Sequence, residues 1–523
     1  MIPENLPKSQ EFSSLISQEK KILNNQADKK FQSLLSQLPE FAFDNDTVTS
    51  FGNFVFLDRF KNYIQLEKTF QDFVNFNRGD NIQYSNFDIL EHMIDSNLVG
   101  KHSFLHYNDL INDPGFARIK ANNISPDEST IRKVLDKAEV QNIKELKKVM
   151  NSLLAKKSKL DGPREVWVSI DDTVSTVYGD QQKSNKGYNP KRKGANSYKI
   201  KVSFIQETDE LVNINLYPGE VHSNEQFVEF LEETINNLPQ NTILKGVLVD
   251  KGFFSEDNCE LLAGKQLKYL IKAKMYSSLK RQALSIPEDN WQYVGNGYHV
   301  AEKRCHLDTW EHDRRFIFIR HEKLVEPKNE DQMSLKGLGA IYSYQAIVTN
   351  LNEDISPEEC WHRYNQRSII ENKIEEIKNG FAVDKNSQKK FLKNYIDIII
   401  KAIAYNIFNW FKQALLPANL VKKSIRTIRR IFINIPANIV KKGGRGYTVR
   451  LPKLNYLKKI VESIKDRLYM FAFRQCYYVT QLKVLTCQFY LTQKQGPRDI
   501  YTLKIHYLSK ILYEFKFKIQ FRN

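Results

Sequence analysis

A mixed α/β sheet between helical ends is the fold class that the hydrophobic patterning predicts. Three observations predict it. Apolar residues recur at helical spacing up to about residue 160, short β-rich runs alternate with helices from about 161, and long amphipathic helices follow from about 357.

The first region, 1–160, reads as all-helical. Glu67–Phe76 and Phe87–Ile94 carry apolar residues three and four apart. Within it, Ser125 is the expected N-cap of a further helix, with Pro126 in the first turn and Glu128 closing a capping box. That helix would expose Arg132, Lys133 and Lys137. It suits either a helix-turn-helix recognition element or an ordinary packing helix with a solvated basic face.

From 161 to 285 the texture is strand, strand, strand, helix, strand, helix, strand. Glu165–Ile170, Tyr198–Phe204 and Glu210–Tyr217 predict a three-stranded antiparallel start; a helix near 223–237 leads to the apolar run Ile243–Val249, and a helix near 256–263 leads to Leu267–Ala273. Residues 286–350 return to β-like runs, Arg315–Arg320 and Ala340–Val348 among them, and read as a β-rich insertion. A long helix over 357–379 lies in the next segment, 351–390. A basic helical region fills 391–466, and 467–523 is an aromatic and lysine-rich tail without a clear period, read as a poorly ordered extension or the product of an altered reading frame.

Lys and Arg total 78 against 61 Asp and Glu, a net charge of +17 that favours a polyanionic partner, nucleic acid before membrane. The longest apolar stretch, Tyr395–Tyr405, is broken by Asp397 and Lys401, which argues against insertion into a membrane; the N-terminus lacks the basic start and apolar run of a signal peptide, so a cytoplasmic location is expected. The five cysteines show no paired metal-ligand spacing and are read as reduced thiols.

Chemistry is suggested by where the acids fall. Asp171-Asp172-Thr173 follows one predicted strand and Asp250-Lys251-Gly252 follows another. Carboxylates at neighbouring strand ends repel, and a divalent cation with a taste for hard oxygen, Mg²⁺ or Mn²⁺, is the usual remedy. On the helix after 357, offsets of three, four and seven residues return Tyr364, Arg367, Glu371 and Lys378 to nearly one face, beside an apolar stripe of Ile370, Ile374 and Ile377. Taken alone, Arg367 and Glu371 would be an ordinary i,i+4 ion pair.

These residues resemble the DDE transposases of bacterial insertion sequences, in the cut-and-paste group with a β-strand insertion in the core. The resemblance lies in Asp171–Gly179 around the first acid, in Asp250–Phe253 around the second, and in the Tyr-x2-Arg-x3-Glu-x6-Lys signature at Tyr364, Arg367, Glu371 and Lys378; weaker similarity runs from about Val99 to Arg430. It implies a ribonuclease-H-like catalytic core, Asp171, Asp250 and Glu371 as catalytic acids holding two Mg²⁺ ions with Mn²⁺ as an alternative, and a homodimer on double-stranded DNA. The DNA comprises the inverted-repeat ends and the target, in the bacterial cytoplasm at the nucleoid. The family pattern favours Asp171 as first acid, while related groups with an acid directly before Thr would select Asp172. Arg367 and Lys378 are expected to clamp phosphate and Tyr364 to bond a phosphate near the cut. The loop with Lys183, Lys186, Lys191, Arg192 and Lys193 suits either a DNA backbone or plain solvent, as does a second basic zone at Arg426, Arg429, Arg430, Lys441, Lys442 and Arg445. Trp310 or Trp291 is the expected platform for an extruded base, against the alternative of a core residue. Two rival functions are a DNA-binding regulator derived from a transposase and a metal-dependent nuclease of the same fold.

Overall fold

The computed structural model describes residues 44–79, 81–120, 125–190, 192–323, 341–443 and 446–468. Lys191, Arg445, Cys476, Cys487, most of the expected tail and the first 43 residues of the expected helical region lie outside the described residues. The compact unit begins at Thr47.

Its first part is helical: α1 (Phe54–Tyr63), α2 (Leu66–Phe73), α3 (Asn86–Val99), three short turns of helix, α4 (Glu128–Asp136) and α5 (Val140–Asp161), after the two-residue strand β1 (Val48–Thr49). Ser85 and Asp88 form the capping box that starts α3, and Gly100, at φ 96°, ends it. The cap of α4 is Asp127, two residues later than the expected Ser125: its carboxylate accepts from the Thr130 N–H at 2.6 Å. A carboxylate at the N-terminus satisfies an orphan donor and also meets the positive end of the helix dipole. Arg132, expected on a free basic face, is engaged with Glu128, Gln388 and the Phe104 ring.

The centre is a ten-stranded mixed sheet. Its strands are β2 (Arg164–Thr176), β3 (Asn185–Lys186), β4 (Asn196–Ile205), β5 (Leu211–Pro218), β6 (Thr242–Val249), β7 (Lys268–Lys272), β8 (Gln292–Gly295), β9 (Tyr298–Cys305), β10 (Arg314–Lys323) and β11 (Ile341–Thr349). The spatial order is β3-β4-β2-β6-β7-β11-β10-β9-β8, with β5 also on β4. The three-stranded antiparallel start is present in β2, β4 and β5, and β6 and β7 then run parallel to β2. The strands of 292–349 join this sheet directly, since β11 pairs antiparallel with β7, Val348 opposite Ile271. At Gly246 a Cβ would meet Lys268 O and the Trp167 ring, both at 2.5 Å; the glycine lets Trp167 lie over β6 beside the bulge at Val166/Trp167.

One sheet face packs on α6 (Phe227–Asn237), α7 (Glu256–Gly264) and α8 (Ser277–Leu284) through Val168, Ile170, Val247 and Val249. The opposite face carries α9 (Pro357–Asn365), α10 (Ser368–Phe381) and α11 (Phe391–Leu415). The helix expected over 357–379 is thus two. Between them, Arg367 N–H donates to Tyr364 O at 2.8 Å and Ile369 N–H to Gln366 O at 3.0 Å, i→i+3 bonds that tighten the turn.

α11 is buried along nearly its whole length and shares one core with α1, α3, α5 and the outer faces of β4 and β5. Its charges, which interrupt the longest apolar run, pair internally: Lys401 meets Asp397 at 2.7 Å and donates to Ala382 O at 3.0 Å. Among the described residues no helix is long and apolar enough to cross a membrane. The region after α11 is not wholly helical as expected. β12 (Ala437–Lys442) and β13 (Gly446–Arg450) form a hairpin, and β1 adds to it through Val48 opposite Asn438. Alternating Ile439, Tyr447 and Val449 around Gly443-Gly444 carry the strand period that the basic residues masked.

Candidate active site

The acids are placed by the β2–β6 ladder. Ile170 is the partner of Val249, so Asp171 and Asp250 are each the next residue beyond the last pair. Asp171 lies inside β2 and not at its end, because β2 continues to Thr176 against β4 after β6 has stopped. Strand alternation then separates the two candidates for first acid. Asp171 shares the face of Trp167 and Leu248, toward α9 and α10; Asp172 shares the face of Val168 and Ile170. There Asp172 looks across the ladder to Lys201 and lies 3.8 Å from Lys199. Burial pulls the Lys201 amine down to about 8, and the amine donates to Ser223 O and Glu225 O at 2.8 and 2.9 Å amid the rings of Tyr217, Phe230 and Phe253.

The third acid comes from the first turn of α10, which is where a carboxylate suits the helix dipole. Ile370, Ile374 and Ile377 are buried and fasten that helix, while the Glu371 side chain is 66% exposed. Arg367 joins the three acids. Its guanidinium lies 3.3 Å from one oxygen each of Asp171, Asp250 and Glu371. From behind, its Nε donates to the Tyr364 hydroxyl at 3.0 Å, and that hydroxyl donates to Val249 O at 3.4 Å. Tyr364 is therefore a buried support for Arg367, where a phosphate contact was expected. The common face expected for the four signature residues is split by the tight turn: Tyr364 and Arg367 go to the sheet, while Glu371 and Lys378 border a hollow that adjoins the open cleft.

That cleft measures about 890 Å³ and is lined by Asp171, Asp172, Asp250, Lys272, Lys274 and Lys378 among others. Tyr188 stands at its edge, 73% exposed. Lys272, Lys274 and Lys199 carry no sequence signal that sets them apart from other lysines. Asp384, in the turn after α10, borders an adjoining hollow with Asp171, Asp172 and Glu371, and its carbonyl accepts from Ser175 Oγ at 2.6 Å. Arg192 is outside this lining and stacks on the exposed Tyr178 at 5.5 Å. Trp310 is packed against Phe254 and Phe316, at 5.1 and 6.1 Å, and Trp291 lies under Arg320 at 4.6 Å. Both are core residues whose faces are taken up by neighbours, so the expected platform for a base is not offered by either.

Burial is the main influence on Asp171, pushing its carboxyl up to about 7 against the opposing pull of Arg367; Asp172 and Asp250 add to the rise. Arg367 is held firmly in its charged form by Tyr364, Asp171 and Asp250 in spite of its own burial. Among the described residues no three His, Cys, Asp or Glu side chains are drawn together as a ready-made metal cage. The acids gather instead around a guanidinium. Their chemistry still fits a hard divalent cation: every donor is a carboxylate oxygen, and the most buried one resists ionising without added positive charge.

Three carboxylates, two on adjacent parallel strands and one on a flanking helix, thus meet at one guanidinium beside a lysine-lined cleft. The family model described as transposase DDE domain group 1 matches residues 36–471, and the chain belongs to that family of DDE transposases, which use divalent metal ions. Similar solved structures include the piggyBac transposase synaptic complex with hairpin DNA, 13% identical over 72% of this chain and 78% of that chain, with a TM-score of 0.39. No curated protein matches the chain.

Proposed function

We propose that the protein is a cut-and-paste transposase of a bacterial insertion sequence, cleaving the element ends and joining them to target DNA in the cytoplasm. The observation that carries this reading is the convergence of Asp171, Asp250 and Glu371 on one point of the sheet, marked by the Arg367 guanidinium. The sheet order, three antiparallel strands followed by two parallel ones with helices on both faces, supports a ribonuclease-H-like reading of the core. The strands of 292–349 are its insertion, and 391–466 with the N-terminal helices its support.

Asp171, Asp250 and Glu371 would hold two Mg²⁺ ions, or Mn²⁺ in their place, which supply acidity to the attacking oxygen and charge stabilisation to the leaving oxygen. The chain's own residues do the positioning. Lys272, Lys274 and Lys378 line the path of the DNA backbone and neutralise phosphate. Arg367 offers a planar fork to a phosphate beside the acids, and Tyr364 sets the angle of that fork. In the cutting step a water oxygen bonds to phosphorus and releases a proton to solvent as the P–O3′ bond breaks, and the departing 3′-oxygen takes up a proton from solvent. In joining, the freed 3′-hydroxyl is the attacking group and a target 3′-oxygen leaves. Two ends must meet before joining, so a homodimer on DNA is expected.

The test is incubation of purified protein with Mg²⁺ and DNA carrying the inverted repeats that flank its gene. Paired cleavage at both ends followed by joining is the expected result. Binding without cleavage would replace the reading with a DNA-binding regulator, and cutting indifferent to the repeats would replace it with a nuclease.

A further inference from the structure

Arg367 is nearly enclosed, with a side chain 7% exposed, yet it grips no acid by both carboxylate oxygens: even its Nη1 and Nη2 contacts to Glu371 go to the same Oε1, at 3.4 and 3.3 Å. Each of three carboxylates offers it one oxygen at 3.3 Å, longer than the roughly 2.7–2.9 Å of a dedicated charge-assisted bond. One cation is thus shared by three anions from three elements. It is anchored from behind through Tyr364 to Val249 O, the residue before Asp250. The guanidinium therefore occupies the place from which any cation would have to touch the same three oxygens.

We propose that Arg367 is a built-in counter-cation, which holds Asp171, Asp250 and Glu371 together in the metal-free protein and competes with the divalent ion for them. This rests on the reading of those acids as metal ligands. Without a positive charge, Asp171 and Asp250, side by side just past the last pair of β2 and β6, would repel. The guanidinium relieves that repulsion and keeps the acids assembled. An entering divalent ion wins on charge but must first displace the fork, so its apparent affinity falls by the fraction of time the fork is away. The displaced fork has donors to satisfy, and a DNA phosphate is a planar-compatible acceptor. Loading of metal and capture of phosphate are then two halves of one exchange.

The test is titration of the full chain, stripped of metal, with Mn²⁺, followed by calorimetry and by the electron-spin signal of the free ion. R367Q should bind Mn²⁺ about tenfold more tightly than the wild type if the fork is displaced about a tenth of the time. Its metal-free melting temperature should drop, and the rise on adding Mn²⁺ should exceed that of the wild type. R367K, which keeps a charge but loses the fork, should fall between the two and carries the test if R367Q does not fold. Equal or weaker Mn²⁺ binding by the arginine variants, with binding still abolished by D250N, overturns the counter-cation while leaving the metal site standing. Binding that D250N does not affect, or no binding by any form, overturns both.

Discussion

Asp171 and Asp250 stand side by side, each one residue beyond the register pair Ile170–Val249 and both on the sheet face turned to α10. Asp172 is on the other face with Lys199 and Lys201. D171N, D250N and E371Q are each expected to cut end cleavage by at least ~10²-fold, the scale seen when one stabilising group leaves a catalytic site. D172N should stay within about tenfold of the wild type, a change of about 1.4 kcal/mol in the barrier. A single-turnover cleavage assay with D171N active and D172N dead would reverse the assignment.

The raised Asp171 carboxyl makes stability depend on pH in a definite direction. Its folded value of about 7 lies above the ordinary 3.8, so between those limits the folded protein holds a proton that the unfolded chain has released. Stability from this group is full below about pH 4 and is lost as pH rises to about 7, at about 1.4 kcal/mol per pH unit at most. In metal-free denaturant titrations, D171N should therefore gain on the wild type as pH rises from 5 to 8. Parallel curves for the two proteins would contradict the burial argument.

Arg429, although it falls in a basic run, is turned inward. It is buried and donates to Leu98 O and Asn97 O at 2.8 and 2.7 Å and to Gly380 O, with the Phe381 and Phe408 rings alongside. It thus closes the C-terminal ends of α3 and α10 with one positive charge. Burial lowers it to about 9, which the three carbonyl contacts make tolerable. R429M would leave those carbonyls unsatisfied and should cost roughly 3 kcal/mol or more of unfolding free energy. An unchanged melting curve would show that water takes over the carbonyls.

Two aromatics divide the roles that the sequence leaves open. Tyr188 is exposed beside the acid cleft, while Trp310 is wedged between Phe254 and Phe316. Y188A should weaken binding to single-stranded DNA by about 1–3 kcal/mol and leave the melting temperature alone. W310A should do the opposite, costing about 3–5 kcal/mol of stability through the cavity it opens. Binding measured by fluorescence anisotropy, with thermal melts of the same samples, separates the two.

The alternating and near-continuous apolar runs make the central strands legible; Ile243–Val249 is the plainest case, although only its second half, Gly246–Val249, is buried on both faces while Ile243 is exposed. The spacing of Ile370, Ile374 and Ile377 marks the buried face of α10 in the same way. What the sequence hides is tertiary. The tight turn at Gln366-Arg367 is made of ordinary helix-compatible residues, so nothing local foretells that Tyr364 will point into the core. Lys272 and Lys274 reach the cleft only because β7 lies next to β6. The hairpin at 437–450 is concealed by lysines and arginines on its exposed positions, and its pairing with β1 spans about 390 residues of chain.

That distant pairing, together with α11 at the centre of the core, bears on how such a protein can decay once its element is no longer selected. A ribosome must release residues up to about 450 before the hairpin can receive β1, and α11 must arrive before α1, α3 and α5 have a surface to settle on. A premature stop ahead of residue 391 would therefore leave the early helices with their apolar sides bare, a substrate for proteases and not a compact inhibitor. Point changes at the acids spare this architecture. Silenced copies that persist as DNA-binding proteins should accordingly be full-length chains altered at Asp171, Asp250 or Glu371.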